Sequence, residues 1–321
     1  MKEISITEIE NIAIGQVEDV EGATGCTAFI SKEGMSVGMD VRGGGPASRE
    51  SGLLDPLTQE HDLHGVVLAG GSAYGLQASG GVLKCLEERG IGYDVGGSIV
   101  PLVVQSDIFD IKIGKPGIRP DEEMGYRAAE MALDSPNYRD GIYGAGCGAT
   151  VGKIRGMDTC MKSGVGSYAI QIGNLKIGAV VVVNAWGDVF NWRTGEKIAG
   201  LLNEDKKSFG DSMKELQTLV KDVENKFTGN TTLGVVITNG KFDKRKLCKI
   251  AGMGQDGLAR SIRPVHTSAD GDTVYAVSVG DVEADQDLVG TMAAEVISEA
   301  ITRAIEKAES AYGHTAARDL F

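Results

Sequence analysis

The chain has 321 residues, 42% hydrophobic and 24% charged, the balance of an ordinary globular protein and not of a disordered one. Its 32 Lys and Arg against 45 Asp and Glu leave a formal net charge of −13 with no basic block, which argues against nucleic acid or an anionic membrane surface as a partner. Apolar runs such as IGAVVVV (Ile177 to Val183) are too short to span a bilayer, MKEISITEIENIAIG at the N-terminus has no signal-type apolar core, and the chain reads as cytoplasmic.

In chain order, GCTAFIS and MSVGMDV predict an early hairpin, and HGVVLAGG a buried strand running into a helix from about Ala73 to Glu88, with Ser72 as its N-cap. After IVPLVVQSDIFDI a helix is expected near Asp121 to Leu133, then a glycine-rich loop, then a strand pair within YAIQIGNLKIGAVVVVNAWGDV. Leu201 to Asn230 is charged and loop-like, the best candidate for a mobile connection. It ends in GNTT, a turn that abuts the strand from Thr232, where Leu233, Val235, Val236 and Ile237 have the β-branched content of a core strand. A helix from Lys244 to about Arg260, the strand TVYAVSVG and a closing helix follow. In that last helix Val289, Met292, Ala293, Val296, Ile297, Ala300, Ile301, Ala304, Ile305 and Ala308 recur at three and four residues, which marks one buried face. Alternating strands and helices predict a layered α/β sandwich.

The 46 glycines cluster at separate places, among them VRGGGPASRE, LAGGSAYGLQASGG and YGAGCGATVGKIRG, which argues for backbone packed tightly around a site. Five cysteines without a CxxC pair signal neither a disulfide framework nor a zinc site, and read as small buried hydrophobes. GAGCGATVGK departs from a phosphate-binding loop at Cys147 and Ile154, and GGSAY departs from a nucleophile elbow at Tyr74. The four histidines form no HExxH; His266 is a candidate base or, more simply, a hydrogen-bonded structural histidine.

Thr231 offers a different chemistry. A threonine hydroxyl is a weak nucleophile until a base takes its proton, and its own α-amine, freed by cutting the peptide bond before it, can serve. Thr231 would attack the Asn230 carbonyl, shift the acyl group from nitrogen to oxygen and let water release the new N-terminus. Gly229 would permit a strained backbone beside that bond. A plain turn before a strand explains the same residues, and so does a glycosylation sequon.

VRGGGPASRE with LLDP, HGVVLAGGSAYGL, IVPLVVQSDIFD, GAGCGATVGK, NTTLGVVITN and GLARSIRPVHTSADGDTVYAVS resemble, in this order, blocks of the L-aminopeptidase, D-esterase and D-amidase family, which includes the β-peptidyl aminopeptidases. The resemblance spans about Gly15 to Glu299. It implies an α/β (α+β) fold, a four-layer αββα sandwich laid out like the N-terminal-nucleophile hydrolases but with different connectivity. It implies one domain over residues 1–321, self-cleaved into an α-chain 1–230 and a β-chain 231–321. It implies no metal or organic cofactor, a homo-oligomer of four or more copies, and peptide, amide or ester substrates. Thr231 stands as nucleophile and amine base, with Asn230 supplying the scissile carbonyl. The resemblance makes Asn184 the oxyanion donor and Asp272 the acid that orients the nucleophile, with Asp270 in place of the serine of a Ser-x-Glu pair and Phe109 near a family tyrosine; Phe109 and Asp270 are candidates for contact with substrate. The other reading is an uncleaved, non-catalytic relative whose glycine-rich pocket binds a metabolite.

Overall fold

The structure is a computed structural model and describes residues 1–218 and 229–320. Ten strands join in one hydrogen-bonded series that folds over on itself. They are β1 (Lys2–Ile4), β2 (Ala13–Asp19), β3 (Thr24–Val41), β4 (Ala47–Arg49), β5 (Leu63–Ala69), β6 (Val103–Asp107), β7 (Val165–Ile172), β8 (Leu175–Asn184), β9 (Thr231–Gly240) and β10 (Thr273–Val282). The helices are α1 (Ala78–Glu88), α2 (Glu122–Asp134), α3 (Ser212–Thr218), α4 (Lys244–Ser261) and α5 (Gln286–Lys307). Asp121, Asp243 and Asp285 cap α2, α4 and α5 by accepting a backbone N–H three residues on, which satisfies donors that the first helical turn leaves unpaired.

Side-chain alternation builds the layers. On β8, β9 and β10, Val181, Val183, Val236, Val274 and Ala276 pack in one core with the α4 and α5 faces. Their alternates Val180, Val182, Leu233, Val235, Ile237, Tyr275 and Val277 meet Phe29, Val66, Leu68 and Val104 of β3, β5 and β6 in a second core. The outer residues of that second sheet, Cys26, Ala28, Ile30, Val67 and Ala69, pack against α1 and α2 in a third. Three cores between four layers make an αββα sandwich. Each fully buried Val or Ile in them contributes about 1.5–3 kcal/mol relative to exposure.

Three local expectations change. GCTAFIS and MSVGMDV are not a hairpin but the two ends of β3, which shifts register between Ile30 and Met35 and passes from one sheet to the other. Its first half pairs with β2 and β5, its second with β10, so both halves are extended without facing each other. Ser72 is not a helix cap: it lies at φ +52° in a 3₁₀ turn, and α1 begins six residues later. The stretch read as loop from Leu201 contains helix α3, while 219–228 lie outside the described residues.

The parallel pair β9 and β10 is bridged by α4 and carries the GNTT boundary at one end. The register places Asn184, the last residue of β8, opposite Thr231, the first of β9.

Candidate active site

Thr231 and Asn230 are both buried, and the strand pairing extends one rung past β9 as a parallel bridge from Asn230 to Asp270. Asn230 donates its N–H to the Ala269 carbonyl at 3.3 Å, and its own carbonyl oxygen accepts from the Gly271 N–H at 2.8 Å. The Thr231 hydroxyl closes on the same oxygen. The bond between Asn230 and Thr231 is therefore fixed on both sides, with the hydroxyl beside it.

The turn that grips it is Thr267 to Asp272. Asp270 Oδ2 accepts the Thr267 N–H at 2.8 Å and its hydroxyl at 2.6 Å. Asp272 Oδ1 accepts the Thr232 N–H at 2.8 Å, while Oδ2 accepts the His266 N–H at 3.0 Å and lies 3.0 Å from His266 Nδ1. His266 is thus tied to Asp272 at both ends. Burial and the neighbouring Asp272 carboxylate push Asp270 above the usual carboxylate range. VRGGGP lies against this turn: Gly44 donates to Thr267 O, Gly45 to Asp270 O, and both Arg42 and Gly43 to Asp272 O. A Cβ on Gly43 would stand 2.3 Å from Asp272 N, so only glycine allows this approach.

Asn184 is fully buried, but its amide is engaged elsewhere. Nδ2 donates to the Phe109 carbonyl at 3.1 Å, and Oδ1 accepts from Lys153 Nζ at 2.7 Å and Thr150 N at 3.1 Å. Lys153 also donates to Asn184 O at 3.1 Å. Its ammonium is taken out of water, and burial lowers its pKa to about 7. Sequence reasoning weighed Lys153 only as the lysine of a failed phosphate loop; its one local signal is a lone lysine inside an apolar, glycine-rich run.

A cavity of about 260 Å³ opens at Thr231, walled by Ser72, Asp107, Phe109, Gly229 and Asn230 among others. Gly229 has φ +63°, and a Cβ there would sit 2.0 Å from the Phe109 ring, so the chain before the bond is pressed against that ring. Asp107 is the residue that sequence reasoning missed. One of its oxygens accepts from Gln105 Nε2 at 2.7 Å, the other has no hydrogen-bond partner among the described residues, and burial raises its pKa well above the usual range. Asp270 does not reach this cavity wall; it stands behind Asn230 in the turn. A larger, more open depression of about 570 Å³ along β1 contains none of these groups.

The layers and this site define an αββα sandwich with a threonine at the mouth of a central strand. The chain belongs to peptidase family S58, whose model matches residues 5–318. It is 37% identical over 295 residues to an uncharacterised aminopeptidase of Mycobacterium leprae, covering 87% of this chain and 80% of that one. It is 29% identical over 279 residues to a 6-aminohexanoate-oligomer endohydrolase of Agromyces sp., covering 86% and 75%. Among solved structures, a Burkholderia sp. β-aminopeptidase superposes with TM-score 0.66 at 15% identity, covering 98% of this chain and 92% of that one. The L-aminopeptidase D-Ala-esterase/amidase of Ochrobactrum anthropi, described as a new variant among the Ntn hydrolase fold, gives 0.64 at 17%, covering 95% and 86%. These two likenesses concern the fold. Among the described residues no helix is long and apolar enough to cross a membrane.

Proposed function

We propose that this hydrolase cuts its own chain between Asn230 and Thr231, then uses the freed threonine to release N-terminal residues from short peptides, amides or esters. The observation that carries the reading is the Thr231 hydroxyl on the Asn230 carbonyl, at the wall of a cavity of about 260 Å³. A relative named as an aminopeptidase and another named for hydrolysing 6-aminohexanoate oligomers support amide cleavage.

Once freed, the Thr231 α-amine has an ordinary pKa of roughly 7.7–8 and takes the hydroxyl proton as general base. The oxygen attacks the carbonyl that follows the substrate's first residue, the amine returns the proton to the leaving group, and water resolves the acyl-enzyme. Asp107 holds the substrate ammonium, since a cation beside a buried carboxyl restores the carboxylate. Asn184, backed by Lys153 and directly across from Thr231, supplies the oxyanion donor once its Nδ2 swings off Phe109 O. Asp272 holds the start of β9 in place through the Thr232 N–H.

Intact mass under denaturing conditions tests this. Wild type gives two fragments that sum to the chain plus one water, with the break before Thr231, and Thr231→Ala stays whole. A wild type that stays whole after prolonged incubation removes the proposed base and overturns the reading.

A further inference from the structure

We infer that the donor which stabilises the oxyanion during self-cleavage is the backbone N–H of Gly271, and that Asn184 serves only the later turnover of substrates. The inference rests on the self-processing reading and divides its machinery in two.

The geometry separates the donors. The Gly271 N–H already points at the Asn230 oxygen, at 2.8 Å. The Asn184 Nδ2 is bonded to Phe109 O and its Oδ1 to Lys153 and Thr150, so Asn184 reaches the scissile carbonyl only by giving up bonds. A preformed donor is worth more than one that must reorganise, because its orientation is settled before charge develops.

The peptide between Asp270 and Gly271 is held from both edges. Its C=O accepts the Gly45 N–H at 2.8 Å, and its N–H faces the opposite way, onto Asn230. A planar peptide clamped by its oxygen cannot turn its nitrogen aside. The Gly271 carbonyl in turn accepts the Thr273 hydroxyl at 2.9 Å. A Cβ on residue 271 would stand 2.7 Å from Thr231 Oγ1 and 3.0 Å from Gly45 O. Glycine is thus required where the nucleophile lies over the donor.

The step balances within the chain. The Thr231 Oγ1 bonds to the Asn230 carbonyl carbon, and the carbonyl π pair moves onto the oxygen that faces the Gly271 N–H. As that pair returns, the bond from carbon to the Thr231 nitrogen breaks, and the hydroxyl proton ends on that nitrogen. Water then hydrolyses the ester, leaving the Asn230 carboxylate and restoring the hydroxyl.

The test replaces Gly271 by glycolic acid through nonsense suppression, turning its N–H into an ester oxygen while adding no atom that meets Thr231. A chain with the same replacement at Gly34, remote from the turn, is the control, and intact mass follows the cut. The expected result is a slowing of ~100-fold or more at 271, a control at the wild-type rate, and Asn184→Ala cutting within about tenfold of wild type. A 271 ester that cuts at the control rate overturns the inference while leaving self-processing intact, and so does an Asn184→Ala chain that does not cut. A wild type that fails to cut defeats both. Should the 271 ester not fold, the through-bond coupling between ¹⁵N of Gly271 and ¹³C of the Asn230 carbonyl, measured in uncut Thr231→Ala, decides: its absence overturns the inference, its presence supports it.

Discussion

Asn184 and Thr231 face each other as the last residue of one strand and the first of its neighbour, yet the Asn184 amide hydrogen bonds to Phe109 and not to the threonine. A residue so placed is a poor participant in ground-state structure at Thr231 and a near one for whatever binds there. Asn184→Ala is expected to lower kcat on a peptide p-nitroanilide by about 10²–10³. It also strips Lys153 of its shortest bond, which costs ~1–3 kcal/mol in urea unfolding.

Lys153 makes stability depend on pH. Burial holds its pKa at about 7, below the ordinary lysine value of 10.5. The unfolded chain therefore binds this proton more tightly than the folded one. Its contribution to stability is complete above about pH 10.5, is lost as pH falls toward about 7, and is flat below that. Lys153→Met removes the effect. The stability of wild type relative to the variant, by urea unfolding, should fall between pH 10 and pH 7 by several kcal/mol; a difference that is constant across that range contradicts the burial argument.

Asp107 lines the cavity, and one of its oxygens, itself buried, has no hydrogen-bond partner among the described residues. Asp107→Asn keeps its size and removes its charge. KM for substrates with a free amino terminus should rise about tenfold, equivalent to ~1.4 kcal/mol, with kcat changed less. Steady-state kinetics on a dipeptide amide measures this, and an unchanged KM assigns the ammonium to another group.

Gly229 is held in the left-handed region against an aromatic ring. Gly229→Ala, made in Thr231→Ala so that cutting does not intervene, should cost ~1–3 kcal/mol from backbone strain with a steric part added. Phe109→Ala on that background should recover the steric part alone, leaving the backbone part. Urea unfolding of the four chains in this cycle separates the two contributions.

What could be read from the sequence was what local pattern encodes. The period of α5 marks residues that, apart from the half-buried Met292, are buried in the structure, because a helix face is written every three or four residues. Turn residues against a β-branched run located the start of β9 to within one residue. Glycine clustering anticipated close backbone, as Gly43 against Asp272 illustrates. The rest depends on partners distant in sequence. MSVGMDV has the alternation of a hairpin arm, and nothing within it says that its partner is β10 rather than GCTAFIS. Asp107 looks like any polar residue at a strand end until Gln105 and the cavity are placed around it. Lys153 and Asn184 are 31 residues apart and meet only when β8 is seated.

The acidic turn has a consequence for direction. Asp270 and Asp272 stand beside the proposed point of cleavage, where hydrolysis would leave a cation on one fragment and an anion on the other. Both buried carboxyls would attract the new ammonium of Thr231 and repel the new carboxylate of Asn230, and their burial strengthens such forces. The two ends would not easily meet again. The proposed severance would act as a ratchet: the charges that appear with it would push one end out and retain the other, leaving the space over Gly271 open to the first incoming substrate.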